Sequence, residues 1–160
     1  MNNQTAFNKL ALNRFKFNLF MLANLPMGFI ARLRIDKISE QSATVSIPYY
    51  YATKNPFRSM YFAAQSMAAE MSTAALAMGA VYKSKPAVSM LVIDLRATFS
   101  KKAATRIKFV CNDGEKIMQA VENAKLTGEG QTVEAKTQGF DDFGHLVSEF
   151  FITWTFKIKK

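Results

Sequence analysis

Between Met60 and Ala80 the chain carries a single charge, Glu70, in a run dominated by Ala, Met, Ser and Gln. Most of these are good helix formers, so the run predicts a helix that is apolar around most of its circumference, and such a helix must be enclosed. Small residues at Ala63, Ala64, Ala68, Ala69, Ala74, Ala75 and Ala77 let strands approach closely, as a curved sheet wrapped around a helix requires. The lone carboxylate is costly to bury. Without a partner its pKa rises and it is poised for proton transfer, the usual ground for suspecting a functional site.

The other elements can be read around this helix. From about Thr5 to Leu25, Phe7, Leu10, Ala11, Phe15, Leu19 and Leu22 recur at helical spacing until Pro26 and Gly28 stop the pattern. Residues 31–39 alternate Leu33, Ile35 and Lys37 against Arg32, Arg34 and Asp36. After a polar Glu40-Gln41-Ser42 turn, 43–48 continues with Val45 and Ile47, so the two runs predict a hairpin. Strands are expected over 87–100, 104–111, 131–140 and 145–158, rich in β-branched and aromatic residues. A short helix over 113–125 has Asp113 as N-cap and Gly128 just past its end. Asp141-Asp142-Phe143-Gly144 is a turn joining the last two strands.

At 160 residues, with 49% apolar residues and no Pro/Gly/Ser-rich linker, 1–160 reads as one domain. One cysteine, Cys111, excludes an intrachain disulfide and a multi-thiolate metal site, and fits a reducing cytoplasm; one histidine, His145, makes zinc chemistry improbable. The most apolar segment, 17–30, is too short and too interrupted to span a bilayer, and no signal peptide is evident. The net charge of +9 suits an anionic partner, whether nucleic acid, a membrane surface or a phosphate-bearing cofactor such as coenzyme A, but no nucleic-acid motif accompanies it.

The stretch Asn55-Pro56-Phe57-Arg58-Ser59-Met60-Tyr61-Phe62-Ala63 followed by Glu70 resembles the site of hotdog-fold thioesterases of the phenylacetate-pathway (PaaI-like) type. Within them it is similar to an uncharacterised, DUF4442-like branch. That family places an Asn six residues before a His-Gly-Gly that opens the central helix, and an Asp or Glu nine residues after the His. Asn55, Tyr61-Phe62-Ala63 and Glu70 stand at those spacings. The segments 97–103 and 141–154 resemble the family's third-strand ending and closing hairpin.

The resemblance implies an α+β hotdog fold, an antiparallel sheet around a long central helix with an N-terminal and a short extra helix. It also implies a homodimer, with further pairing into a tetramer open. By resemblance, Glu70 is general base or nucleophile, Asn55 orients water or substrate, and the backbone N–H groups of Phe62 and Ala63 are oxyanion donors. Tyr61 and Thr73 would line the substrate. Arg58, Lys101 and Lys102, with Lys83 and Lys85 near other strand ends, would meet coenzyme A phosphates. No metal or bound cofactor is implied beyond the coenzyme A of the substrate.

Tyr61-Phe62-Ala63 departs from His-Gly-Gly by putting bulk where glycine allows close approach. Glu70 can alternatively be a structural carboxylate bonded across the dimer interface, and Asn55 a turn residue before Pro56. Two functions therefore stand from the residues: a cytoplasmic acyl-CoA thioesterase, and a non-catalytic hotdog module that binds acyl-CoA or fatty acyl ligands. A basic protein binding nucleic acid or an anionic membrane is a third reading.

Overall fold

One antiparallel sheet wraps the apolar helix. The computed structural model describes residues 3–159, in which helices α1 (Asn3–Leu12), α2 (Arg14–Asn24) and α3 (Pro26–Ile30) precede the hairpin β1 (Arg34–Ile38) and β2 (Ala43–Ile47). A 3-10 turn (Tyr51–Thr53) leads into α4 (Phe62–Val81), followed by β3 (Val88–Phe99), β4 (Ile107–Cys111), α5 (Gly114–Thr127), β5 (Gln131–Phe140) and β6 (Leu146–Ile158). The six strands form a single sheet in the order β1-β2-β4-β5-β6-β3, every neighbouring pair antiparallel. This is the α+β hotdog arrangement that the sequence leads one to expect.

The core lies between α4 and the concave face of the sheet. Phe109, Phe150, Phe156, Ile47, Ile152 and Leu76 are fully buried there, and the Phe109 and Phe150 rings meet edge-on at 5.6 Å. The polar side chains that α4 turns inward are matched one to one by the strands. Ser72 Oγ lies 2.8 Å from Thr137 Oγ1, Gln65 Oε1 accepts from Ser148 Oγ at 2.8 Å, and Thr73 Oγ1 accepts from the Trp154 indole at 2.9 Å. Buried polar groups left unpaired would each cost about 1–3 kcal/mol, so these three pairs fix the register of the helix against β5 and β6.

The N-terminal region differs from the single helix expected over 5–25. The helix breaks at Asn13, whose side-chain Oδ1 accepts from Lys16 N–H and caps a new helix. Pro26 does not end the helical region but opens α3 at its first position, where its missing N–H leaves no bond unmade. The restart also changes which face is buried. Phe17 and Met21 point inward, whereas Phe15, Leu19 and Leu22 of the apolar stripe are exposed.

Asp113 stands at the N-cap position of α5, yet its carboxylate does not cap the helix. It accepts from Lys136 N–H on β5 at 2.7 Å and from Lys116 Nζ at 2.9 Å, tying α5 to the sheet. Gly128 closes the helix at φ +74°, as expected of a C-terminal glycine. Gly114 donates to Gln41 O at 3.0 Å and packs so tightly on the β1–β2 turn that a Cβ there would collide with the Glu40 carbonyl oxygen and sit 2.8 Å from the Gln41 backbone. Backbone cannot swing aside as a side chain can. Gly114→Ala is expected to lower stability by about 2 kcal/mol or more, read as a shift in the urea midpoint at unchanged slope.

Candidate active site

The segment before α4 is anchored on both sides. Met60 N–H donates to Ala103 O at 2.7 Å and Tyr61 N–H to Thr53 O at 2.8 Å, while Lys54 and Met60 form an isolated antiparallel bridge. This sets the N-terminus of α4 beside the 100–106 loop, which carries Lys101 and Lys102. Tyr61, with extended backbone (φ −61°, ψ 135°), is the N-cap residue, and no side chain caps the helix. Its carbonyl accepts from Ala64 and Gln65, which leaves the Phe62 and Ala63 N–H groups without an acceptor among the described residues. Unpaired amides at the positive end of a 20-residue helix form a site for a developing negative charge.

Glu70 lies two turns further along. The incompletely buried residues in this part of α4 are Ala63, Ser66, Met67 and Glu70, spaced i, i+3, i+4 and i+7. They therefore form one open stripe on an otherwise enclosed helix. Among the described residues the Glu70 carboxylate makes no hydrogen bond or ion pair, and burial pushes its pKa up to about 7. Glu70 and the two free amides share a face but are seven to eight residues apart, or about 11 Å along the axis at 1.5 Å per residue.

Asn55 is placed as the resemblance implies, ahead of the helix, but its side-chain oxygen is committed locally. Oδ1 accepts from Phe57 N–H, Ser59 N–H and Ser59 Oγ at 3.0–3.2 Å, an Asx turn that shapes the loop, and only its Nδ2 is left to address anything else. Arg58 sits at the tip of that turn, exposed and with φ +57°. The rings of Tyr61 and Phe62, both about half exposed, meet at 4.9 Å in an edge-on pair beside the free amides.

Thr73 is not positioned to hold water or substrate. It is fully buried, donates to the Glu70 backbone carbonyl at 3.0 Å and accepts from Trp154, so its hydroxyl supports the helix around Glu70 without facing an opening. Lys101 is 3.6 Å from the Asp141 carboxylate, whereas Lys102 is exposed and makes no ion pair among the described residues. Lys83 and Lys85 lie just past the far end of α4, away from this site.

Two groups missing from this constellation are accounted for elsewhere. Burial raises the Cys111 thiol to about 12, which removes it as a nucleophile. His145 closes the β5–β6 turn, its Nδ1 3.1 Å from Asp141 Oδ2 and its N–H donating to Asp141 Oδ1. Burial raises the Asp141 pKa, but the hydrogen bonds from His145 and Phe143 outweigh it and hold the carboxyl below its usual range. Among the described residues no cluster of three or more His, Cys, Asp or Glu side chains could hold a metal ion.

The architecture is shared with solved thioesterase structures. A Pseudomonas aeruginosa protein of unknown function, described as a probable thioesterase, superposes with a TM-score of 0.76 at 18% identity, over 91% of this chain and 96% of that one. A protein of unknown function from Chlorobaculum tepidum matches with a TM-score of 0.76 at 13% identity, over 93% and 99%. A Haemophilus influenzae thioesterase matches at 0.65 and 12% identity, over 89% and 90%. No curated protein matches the sequence. Residues 14–156 match the family Domain of unknown function (DUF4442), and the chain belongs to that family.

Proposed function

We propose that the protein is an acyl-CoA thioesterase of the PaaI-like type, cytoplasmic and working as a homodimer, in which Glu70 is the general base or nucleophile. The observation that carries this reading is Glu70 itself, an unpartnered carboxylate on the open stripe of a buried helix, raised by burial to about 7. A base with that pKa is matched to proton transfer near neutral pH. The acyl carbonyl oxygen would be held by the Phe62 and Ala63 N–H groups. Glu70 would take a proton from water as the water attacks the carbonyl carbon, and the C–S bond would break to release the thiolate of coenzyme A. Asn55 Nδ2 would orient the acyl group or the water, Tyr61 would line the acyl pocket, and Arg58, Lys101 and Lys102 would meet the phosphates.

Within one chain ~11 Å of helical rise separates the Phe62 and Ala63 amides from the Glu70 backbone, so a Glu70 from a second copy is the reading that brings a carboxylate to a carbonyl held by those amides. The sheet offers the means. β3 is an edge strand, and no residue is buried on either face from Ile93 to Phe99, so pairing with another β3 would cover it. A further support comes from a Staphylococcus aureus protein of the same fold, solved as separate glutamine-to-alanine and glutamate-to-alanine variants. The two replaced positions are fifteen residues apart, the separation of Asn55 and Glu70.

The test is release of free coenzyme A from a panel of short, medium, long and aryl acyl-CoA thioesters. Turnover on at least one member is expected. A second reading, an acyl-CoA-binding module without catalysis, is favoured by the Tyr61 and Phe62 rings crowding the amides; binding of the panel without turnover would select it. Phe62 is the first helical residue and follows an extended Tyr61, so proline fits there without breaking the helix. Phe62→Pro removes one oxyanion donor and is expected to lower kcat by about a hundredfold or more, while Phe62→Ala, which keeps the N–H and removes the ring, largely retains it.

A further inference from the structure

A second exposed apolar surface lies far from these amides in the chain, on α2 and α3. Helix α2 is apolar on two opposite faces. Phe17 and Met21 pack inward, and Phe15, Leu19 and Leu22, at i, i+4 and i+7, point into solvent with 79%, 57% and 54% of their surface exposed. Met27 and Ile30 of α3, which packs against α2, are exposed as well. An exposed apolar stripe opposite a buried one is more than a surface helix needs for packing, and such a patch marks an interaction site.

The charges around it indicate what covers it. Residues 1–36 contain five basic side chains, Lys9, Arg14, Lys16, Arg32 and Arg34, and one acidic one, Asp36, which pairs with Arg34 at 3.0 Å. Arg14 and Lys16 flank the exposed stripe of α2 and make no ion pair among the described residues. A second copy docked face to face would set these cations against their own kind, on a chain already at +9. An anionic bilayer meets both features, taking the aromatic and aliphatic side chains into its headgroup region and pairing the cations with lipid phosphates. No helix among the described residues is long and apolar enough to cross a membrane, so the contact is with the surface.

The layer beneath the helices favours the same occupant. Leu10 and Phe20, both partly exposed, also line an apolar cavity of about 550 Å3 between α1, α2 and the C-terminal end of α4, walled by Phe7, Phe17 and Val81 and reached by Lys16 and Lys159. An acyl chain splayed from a bilayer would find an apolar recess with cations beside it.

We propose that the outer face of the N-terminal helices, built on Phe15, Leu19, Leu22, Met27 and Ile30 and flanked by Arg14 and Lys16, docks the protein onto an anionic membrane surface. This docking is independent of the proposed thioesterase chemistry. The test is cosedimentation of the full chain with vesicles of phosphatidylcholine alone or mixed with phosphatidylglycerol. Binding to the anionic vesicles is expected to exceed that to the neutral ones by about tenfold or more and to fall with salt. Phe15→Ser/Leu19→Ser and Arg14→Gln/Lys16→Gln change only exposed positions, so both are expected to keep the wild-type circular dichroism and each to lose about tenfold in binding. Equal binding to both vesicles would overturn the proposal. So would absence of binding, including the case in which wild type instead assembles beyond the dimer through Phe15 and Leu19.

Discussion

Glu70→Gln is expected to abolish thioester turnover, by about a thousandfold or more, and at the same time to stabilise the protein above pH 7. Both effects follow from the carboxylate being buried without a partner. In the folded chain the group titrates at about 7, against 4.5 unfolded. Between those values the folded state holds a proton that the unfolded state has released, so stability is fullest below pH 4.5 and is lost as the pH rises through 7. The difference of about 2.5 units corresponds to about 3 kcal/mol at pH 8. Glutamine keeps the shape and has no proton to lose, so the variant is expected to gain most of that amount at pH 8 and almost nothing at pH 4.5, measured by urea unfolding. The wild-type kcat/KM is expected to rise with pH through about 7 as Glu70 ionises. A carboxylate serving only to hold structure would show the opposite sign, with Glu70→Gln destabilising the protein at pH 8.

Ile93→Lys/Leu95→Lys is expected to take the protein apart into copies of 18.0 kDa and to remove turnover with it. Both side chains are about half exposed on the edge strand β3, where the chain itself offers nothing to cover them. Within one copy the lysines meet solvent and cost little. In a β3-to-β3 pairing they would face a hydrophobic partner strand and their own like charges, the device by which natural sheets block edge pairing. Light scattering after gel filtration reads the mass, and coenzyme A release reads the activity. A dimer that persists, or a fully active monomer, would remove the composite site.

The parts legible in sequence were those in which local chemistry and tertiary demand agree. The near absence of charge from 60 to 80 identified the enclosed helix to within two residues at its start. Alternation placed the hairpin, and Gly128 ended α5 where its side-chain-free φ of +74° allows. The N-terminal helices were misread because the stripe Phe15, Leu19, Leu22 and the pair Phe17, Met21 both have helical spacing, and only the break at Asn13 and the packing decide which faces in. At the site, the sequence brought Asn55, the α4 amides and Glu70 together as a motif. It could not show that Thr73 is spent on Trp154, a partner 81 residues away, or that Asn55 Oδ1 is saturated by its own turn. The ~11 Å of rise between the amides and the Glu70 backbone follows from the spacing along a helix.

The central claim is that each site joins the α4 amides of one copy to Glu70 of another. Mixing Glu70→Gln with Phe62→Pro, unfolding and refolding them together, and measuring coenzyme A release tests it most directly. Each variant alone is expected to be nearly inactive. In the mixture about half the dimers are hybrids, and each hybrid holds one intact site of two, so about a quarter of wild-type activity is expected to return. A mixture as inactive as its components, with hybrid dimers shown to be present, would mean that the two groups work within a single chain or not at all.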